Sequence, residues 1–203
     1  MYLLQQTNGE FFCISVRKDN KATTILRVFE AALAGKGCKF AVKLKQMIEL
    51  IDIQQEGWLM DEARKLFEEY ERELDENLSF QRFEEELKNP LKKYGPPLGV
   101  LYVAKWNSEI AGCVALAPMK EKDCCEMKRL YVRPHYRKHK IGKVLVEQIM
   151  KDAAMMGYTK MKLDTLEKLQ PAIGLYRQYG FVETTSYYDN PLDGVVYMEK
   201  QLA

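Results

Sequence analysis

From residue 47 onward the spacing of apolar residues switches between two periods, and each switch marks an element. Ile48, Leu50, Ile51 and Ile53 form a short apolar run ending before Gly57, which predicts a strand. Beyond Trp58, Leu59, Ala63, Leu66, Phe67, Tyr70 and Leu74 recur at three- and four-residue steps among Glu, Lys and Arg, which predicts an amphipathic helix. Asn77 and Ser79 interrupt it, and a shorter helix is expected to carry Phe80, Phe83 and Leu87 up to Asn89-Pro90. After Gly95-Pro96-Pro97 come three β-rich runs, Gly99 to Ala104, Glu109 to Ala117 and Cys124 to Val132. The polar links between them are short, so an antiparallel meander is expected.

A second helix pattern places Ile141, Leu145, Ile149 and Ala153 on one face, with Gly157 just beyond its end. Met161 and Leu163 alternate with Lys160 and Lys162 as a strand; Pro171 opens a further helix and Gly180 closes it. Phe181-Val182 and Val195 to Met198 supply the last strands. Residues 1–46 are less regular and read as an N-terminal extension of unassigned role. Phe11 to Val16 suits a short strand, and Thr24 to Leu33 has helical character before Gly35-Lys-Gly37. Met47 is a candidate start for the 47–203 domain, and for the natural protein.

At 203 residues with 47% hydrophobic composition, the chain can bury one full core plus an appendage. Its 31 Lys and Arg nearly balance 29 Asp and Glu, so net charge gives no reason to expect a nucleic-acid or membrane-surface partner. The five cysteines show no paired spacing and no histidines at metal-ligand distance, which argues for a reduced, cytoplasmic protein without a metal. No stretch approaches the roughly 18 apolar residues of a membrane span, and no leader pattern precedes the fold.

The chemistry concentrates where an apolar strand meets a helix. Arg137-Lys138-His139-Lys140-Ile141-Gly142, followed by Lys143, runs from that strand into the helix start. First-turn amides lack internal partners, and the positive end of the helix dipole makes them an anion site. Without a Cβ, Gly142 lets an anion approach its backbone. Taken alone, the segment also reads as a solvated basic turn.

Its match to Q/R-x-x-G-x-G/A, with Lys140 in place of the first glycine, resembles the cofactor loop of the GNAT superfamily of acetyl-CoA-dependent N-acetyltransferases. Ala172-Ile-Gly-Leu-Tyr-Arg-Gln-Tyr-Gly-Phe181 is similar to the family's A-x-x-L-Y-x-x-x-G-F segment. Leu169 stands where many relatives carry asparagine. The resemblance spans roughly the last three quarters of the chain. It implies an α/β (α+β) fold with a mixed, mostly antiparallel sheet of six to seven strands flanked by helices.

The resemblance also implies acetyl-CoA as cosubstrate, with no metal, and direct ternary-complex transfer to a primary amine. The pyrophosphate would sit on Arg137, Lys138, His139, Lys140, Ile141, Gly142 and Lys143, and the pantetheine arm on the backbone of Leu130, Tyr131 and Val132. Tyr176 would protonate the leaving thiolate. An alkyl amine has a pKa of about 10.4, so a base is needed, and Glu126 takes that role. The alternatives are a core tyrosine at Tyr176 and a surface carboxylate pairing with lysine at Glu126.

Arg129, Tyr188, Asn190 and Tyr197 are candidate acceptor-side residues, although turn formation alone also explains Asn190-Pro191. The acceptor is a small-molecule or peptide amine, and a homodimer is allowed. Nucleic acid and membrane are not expected partners. A non-catalytic acyl-CoA-binding sensor is the competing function. The charge on Lys140 predicts that acetyl-CoA affinity falls between about 20 and 200 mM salt, checked by calorimetric titration. An affinity flat across that range would remove Lys140 from the phosphate site.

Overall fold

The computed structural model describes the backbone of residues 2–7, 10–19, 22–30 and 45–202, with side chains described from residue 47. Apolar alternation along successive runs builds a single sheet. Its strands are β1 (Tyr2–Thr7), β2 (Glu10–Asp19), β3 (Ala22–Glu30), β4 (Lys45–Asp52), β5 (Val100–Trp106), β6 (Glu109–Pro118), β7 (Cys124–Val132), β8 (Lys160–Leu166), β9 (Val182–Glu183) and β10 (Val195–Gln201). The helices are α1 (Trp58–Leu74), α2 (Phe83–Lys88), α3 (Leu91–Tyr94), α4 (Ile141–Met155) and α5 (Gln170–Gln178). Spatial order is β1-β2-β3-β4-β5-β6-β7-β8-β10-β9.

Among the described residues, only the β7 to β8 pairing is parallel, because α4 crosses over between them; the other neighbours are antiparallel. From β4 onward the order of elements follows the sequence pattern. The seven strands β4 to β10 form the expected mixed, mostly antiparallel sheet, and β1 to β3 extend it at the β4 edge.

Two differences from the sequence pattern stand out. Residues 24–30, expected to be helical, form most of β3. The β-branched Thr23, Thr24, Ile25 and Val28 fit a pleated ladder better than a helix. Residues 31–33 of that expected helix lie outside the described residues. Phe11 to Val16, expected as a strand, falls within β2. After α2, Pro90 opens the short α3 instead of ending helical structure, since proline suits a first helical turn.

Both faces of the sheet are covered. Along β5, Val100, Tyr102, Ala104 and Trp106 join the core under α4 and α5, while Leu101 and Val103 join the one under α1 to α3. This two-sided burial explains why β5 and β6 read as nearly continuous apolar runs. The α1 stripe of Met60, Ala63, Leu66 and Phe67 is fully buried, and Ile141, Leu145 and Ile149 do the same for α4. Each such large side chain contributes roughly 1.5 to 3 kcal/mol. Among the described residues, no helix is long and apolar enough to cross a membrane.

One polar interaction interrupts the core between sheet and helices. Arg129 of β7 donates from Nε to Glu86 Oε1 at 2.6 Å and from a terminal nitrogen to Oε2 at 3.1 Å. Both side chains are almost inaccessible, at 3% and 2%. The guanidinium also lies 5.1 Å from the Phe83 ring centroid and 5.9 Å from that of Tyr70. Burial works against the Glu86 carboxylate, but the charges of Arg129 and Lys93 outweigh it and hold its pKa below the usual range.

With the folded pKa depressed, the stabilisation from Glu86 is complete above the unfolded value of about 4.3 and is lost as pH falls through the folded value. Replacing Arg129 by Met leaves the buried Glu86 carboxylate with Lys93 as its charged partner and should destabilise the fold by about 3 kcal/mol at neutral pH. Urea denaturation checks this, and the gap to the parent protein should narrow toward about pH 3 as Glu86 protonates.

Candidate active site

The parallel ladder between β7 and β8 holds for three pairs, Cys124 with Lys160, Cys125 with Met161 and Glu126 with Lys162, and then stops. β8 stays zipped to β10 along its whole length, and β7 stays on β6 through Val132. The two strands therefore diverge, leaving residues 127–132 and 163–166 facing each other across a gap. The cause lies on β7. Lys128 pairs with Ala115 and Tyr131 with Cys113, so Arg129 and Leu130 stand opposite the single residue Val114. Such a bulge bends and twists its strand. Arg129 absorbs it with φ 55°, a left-handed backbone that costs a non-glycine residue roughly 1 to 2 kcal/mol.

The far end of the gap is the loop into α4. Pro134–His139 form a 3₁₀ turn, and Lys140 follows at φ 59°, ψ 15°. The position where the GNAT motif carries its first glycine is therefore left-handed, and lysine occupies it. No side chain caps the start of α4. Its 15 residues direct their uncapped first turn toward the loop, an arrangement that suits an anionic ligand.

A Cβ on Gly142 would touch Leu175 Cδ2 at 3.6 Å and Val132 Cγ2 at 3.8 Å, ordinary contacts. Packing within the protein would thus accept alanine, as the G/A alternative of the motif does. Arg137 is tied back, donating from Nε to Val132 O at 2.9 Å and from a terminal nitrogen to Glu73. His139 stacks on Trp106 with ring centroids 4.2 Å apart, and Ile141 is buried. Lys138, Lys140 and Lys143 are exposed along the loop.

Two cavities open beside the gap. The smaller, about 50 Å³, is lined by Leu130 of β7, Asp164 of β8, and Ala172 and Tyr176 of α5. Tyr176 is buried, with its ring edge-on to Phe181 at 6.0 Å. Burial, with the nearby Tyr70 and the charge of Asp164, raises the pKa of its hydroxyl, so the phenol holds its proton at neutral pH. The larger cavity, about 460 Å³, is lined by Glu126, Tyr187, Tyr188, Lys93 and Lys162 among others. Lys128 and Gln81 line both and form the wall between them.

That wall is electrostatically dense. Lys128 Nζ lies 3.3 Å from Glu126 Oε1 and 3.3 Å from Asp164 Oδ1. Burial opposes the ammonium, but the two carboxylates outweigh it and raise its pKa. Tyr187 donates to Glu126 Oε1 at 2.9 Å, and Tyr188 to Asp164 Oδ2 at 2.9 Å. Burial first, then these carboxylates, push both phenols well up. Asn190 Nδ2 donates to the Tyr188 hydroxyl at 2.8 Å, and the Tyr197 hydroxyl to Tyr188 O at 3.2 Å.

The structure therefore places Glu126 and Tyr188 on one side of the wall and Tyr176 and Leu130 on the other, while Asn190 and Tyr197 lie behind Tyr188 and do not line the cavity. Arg129 lines the smaller cavity but directs its guanidinium to Glu86. Cys124 and Cys125 are buried strand residues, their thiols pushed up to about 11 and about 12 chiefly by burial.

A sheet split between two parallel strands, with a basic uncapped loop at one end and titratable side chains at its centre, forms a cleft suited to an anionic ligand. The family model described as the acetyltransferase (GNAT) family matches residues 58–181. An uncharacterized N-acetyltransferase of Schizosaccharomyces pombe is 46% identical over 145 residues, covering 71% of this chain and 89% of the relative. One from Dictyostelium discoideum is 30% identical over 192 residues, covering 65% of this chain and 89% of its own. A solved acetyltransferase of Streptococcus agalactiae shares the fold at a TM-score of 0.64, with 22% identity over 76% of this chain and 98% of that one. The chain belongs to the GNAT acetyltransferase family and is an acyltransferase by that membership.

Lys128, Asp164, Gln81 and Tyr187 were not singled out from sequence. Part of the signal was present, since Lys160, Lys162 and Asp164 alternate on one face of β8 as Glu126 and Lys128 do on β7. Only the parallel register brings those two faces together. The loop geometry carries its own prediction. Lys140→Gly should stabilise the fold by about 0.5 to 1 kcal/mol, the relief of left-handed strain less the added chain entropy of glycine. Lys140→Ala, which keeps the backbone demand, should not, and urea denaturation of both variants distinguishes them.

Proposed function

We propose that the protein transfers an acetyl group from acetyl-CoA directly to a primary amine, with both substrates bound at once. The observation carrying this reading is that two cavities meet at one wall, with Tyr176 on one side and Glu126 on the other. Direct transfer needs that arrangement, because the amine must reach the thioester carbon while separate groups handle two protons.

Acetyl-CoA supplies the activated acetyl group. The uncapped α4 start and the loop from Arg137 to Lys143 would hold its pyrophosphate through backbone amides and positive charge. The β7 edge at Leu130, Tyr131 and Val132, left open by the split, would hold the pantetheine arm by strand-like pairing. Glu126 takes a proton from the bound ammonium, directly or through a water, so that the nitrogen lone pair is free to attack. As the C–N bond forms and the C–S bond breaks, Tyr176 donates its proton to the departing thiolate; the second proton lost by the nitrogen passes to solvent, from which Tyr176 is reprotonated, and Glu126 releases its own proton to solvent. Lys128, held by Glu126 and Asp164, fixes both carboxylates and gives the wall its shape.

Residues 47–203 carry every group in this scheme, and we assign them as the catalytic domain, with 1–46 as an extension. The buried, unpaired thiols of Cys113, Cys124 and Cys125 suit a reducing, cytoplasmic setting.

Tyr176→Phe should lower kcat by about 10² to 10⁴ while changing acetyl-CoA affinity little. Glu126→Gln should lower kcat/KM most at neutral pH, where the amine arrives protonated. Thiol release measured across an amine library tests both. Equal turnover by the parent and the Tyr176 variant would rule out the acid role. Binding of acetyl-CoA without thiol release on any amine would favour a sensor instead.

A further inference from the structure

Counting how charges are shared around the larger cavity gives a pattern that a simple amine does not explain. On the wall, one cation, Lys128, lies between two anions, Glu126 and Asp164, at 3.3 Å from each. Tyr187 and Tyr188 donate hydrogen bonds to those carboxylates but bring no charge. The wall as a whole carries one surplus negative charge, with Glu126 on the larger cavity and Asp164 on the smaller. Gln81 adds a further acceptor, since its Oε1 is buried without a partner among the described residues. An ammonium or amine N–H is what this side lacks.

The opposite surplus occurs behind Lys93, which lines the cavity. Glu86 is a single anion between two cations, held bidentately by Arg129 and approached by Lys93 Nζ at 3.0 Å. Glu121 is shared by Lys162 at 2.7 Å and Lys160 at 2.9 Å, and Glu199 of β10 also acts on Lys160. Lys93 and Lys162 both line the cavity. Burial, reinforced by the charges of Lys128 and Arg129, outweighs Glu86 and lowers the Lys93 pKa, so an anion beside it would be welcome. Across the whole lining, four lysines face three carboxylates.

We infer that the acceptor is an amino carboxylate, a small molecule whose amine lies at Glu126 and whose carboxylate lies at the Lys93 or Lys162 side of the same cavity. The inference rests on the acetyl-transfer reading above and narrows it to a substrate class. Charge complementarity of this kind discriminates mainly against wrong partners. A diamine would set its second ammonium against surplus positive charge. An amidated or internal peptide would leave that surplus unanswered. The cavity volume of about 460 Å³ suits a small molecule.

The test is thiol release by the full chain at saturating acetyl-CoA, with acceptors in matched pairs. Each protein amino acid and each straight-chain ω-amino acid is run beside its carboxamide, and straight-chain diamines are included. At least one amino carboxylate should show kcat/KM ten or more times that of its amide and of every diamine. Lys93→Gln and, separately, Lys162→Gln should each be tried, and at least one should bring that ratio toward one. Lys93→Arg should retain it. Amides or diamines turned over as well as the carboxylates, or a ratio unmoved by both glutamine variants, would overturn the inference while leaving acetyl transfer intact. Bound acetyl-CoA with no turnover of any amine would overturn both.

Discussion

The bulge at Arg129 is the constraint on which the site depends. Were β7 regular, its parallel pairing with β8 could continue past Glu126 and the sheet would close. The extra residue opposite Val114 bends β7 away, and a left-handed backbone at Arg129 makes room for it. That conformation is unfavourable for arginine, and the bidentate contact to Glu86 between Phe83 and Tyr70 holds it in place. A buried ion pair seldom adds stability over an apolar substitute of the same shape. Its value here is positional, since it fixes where the sheet splits and ties the split to α2.

The same economy of charge shapes the wall between the two cavities. Lys128, Glu126 and Asp164 come from two strands that no longer pair at that level, so their contacts bridge the opening instead of a ladder. Desolvation works against Lys128 and Asp164, and each is held charged by its neighbours, while the tyrosine hydroxyls of the C-terminal segment donate to Asp164 and Glu126. Removing one member would strand the others. The proposed proton acceptor and proton donor therefore sit in neighbouring cavities that share Lys128 and Gln81.

The loop into α4 follows a different logic. At Lys140 the backbone takes the conformation in which glycine would be least strained, although the residue is lysine. The family pattern marked the position correctly through its mismatch, because the backbone geometry is set by the strand-to-helix turn and not by the residue occupying it. Gly142, in contrast, meets only ordinary contacts from its own protein, so packing within the chain does not require glycine there.

The succession of elements from β4 to β10, the amphipathic faces of α1 and α4, the Gly180 stop and both family segments were legible in the chain itself. They depend on periodicity, on capping and on residue types at fixed spacing, all local properties. The strand character of β3 is not visible in the local pattern because it is settled by pairing with β2 and β4, and such pairing overrides weak local propensity. The roles of Arg129 and Glu86, 43 residues apart, had no local signature.

Nor had the Lys128 and Asp164 contact, which spans 36 residues and exists because two strands run parallel and then part. Sequence by itself determined the family, the order of elements and the position of the loop. Tertiary structure alone decided which charges share a partner and which are left in surplus, because that depends on burial and on distances between segments that local pattern does not encode.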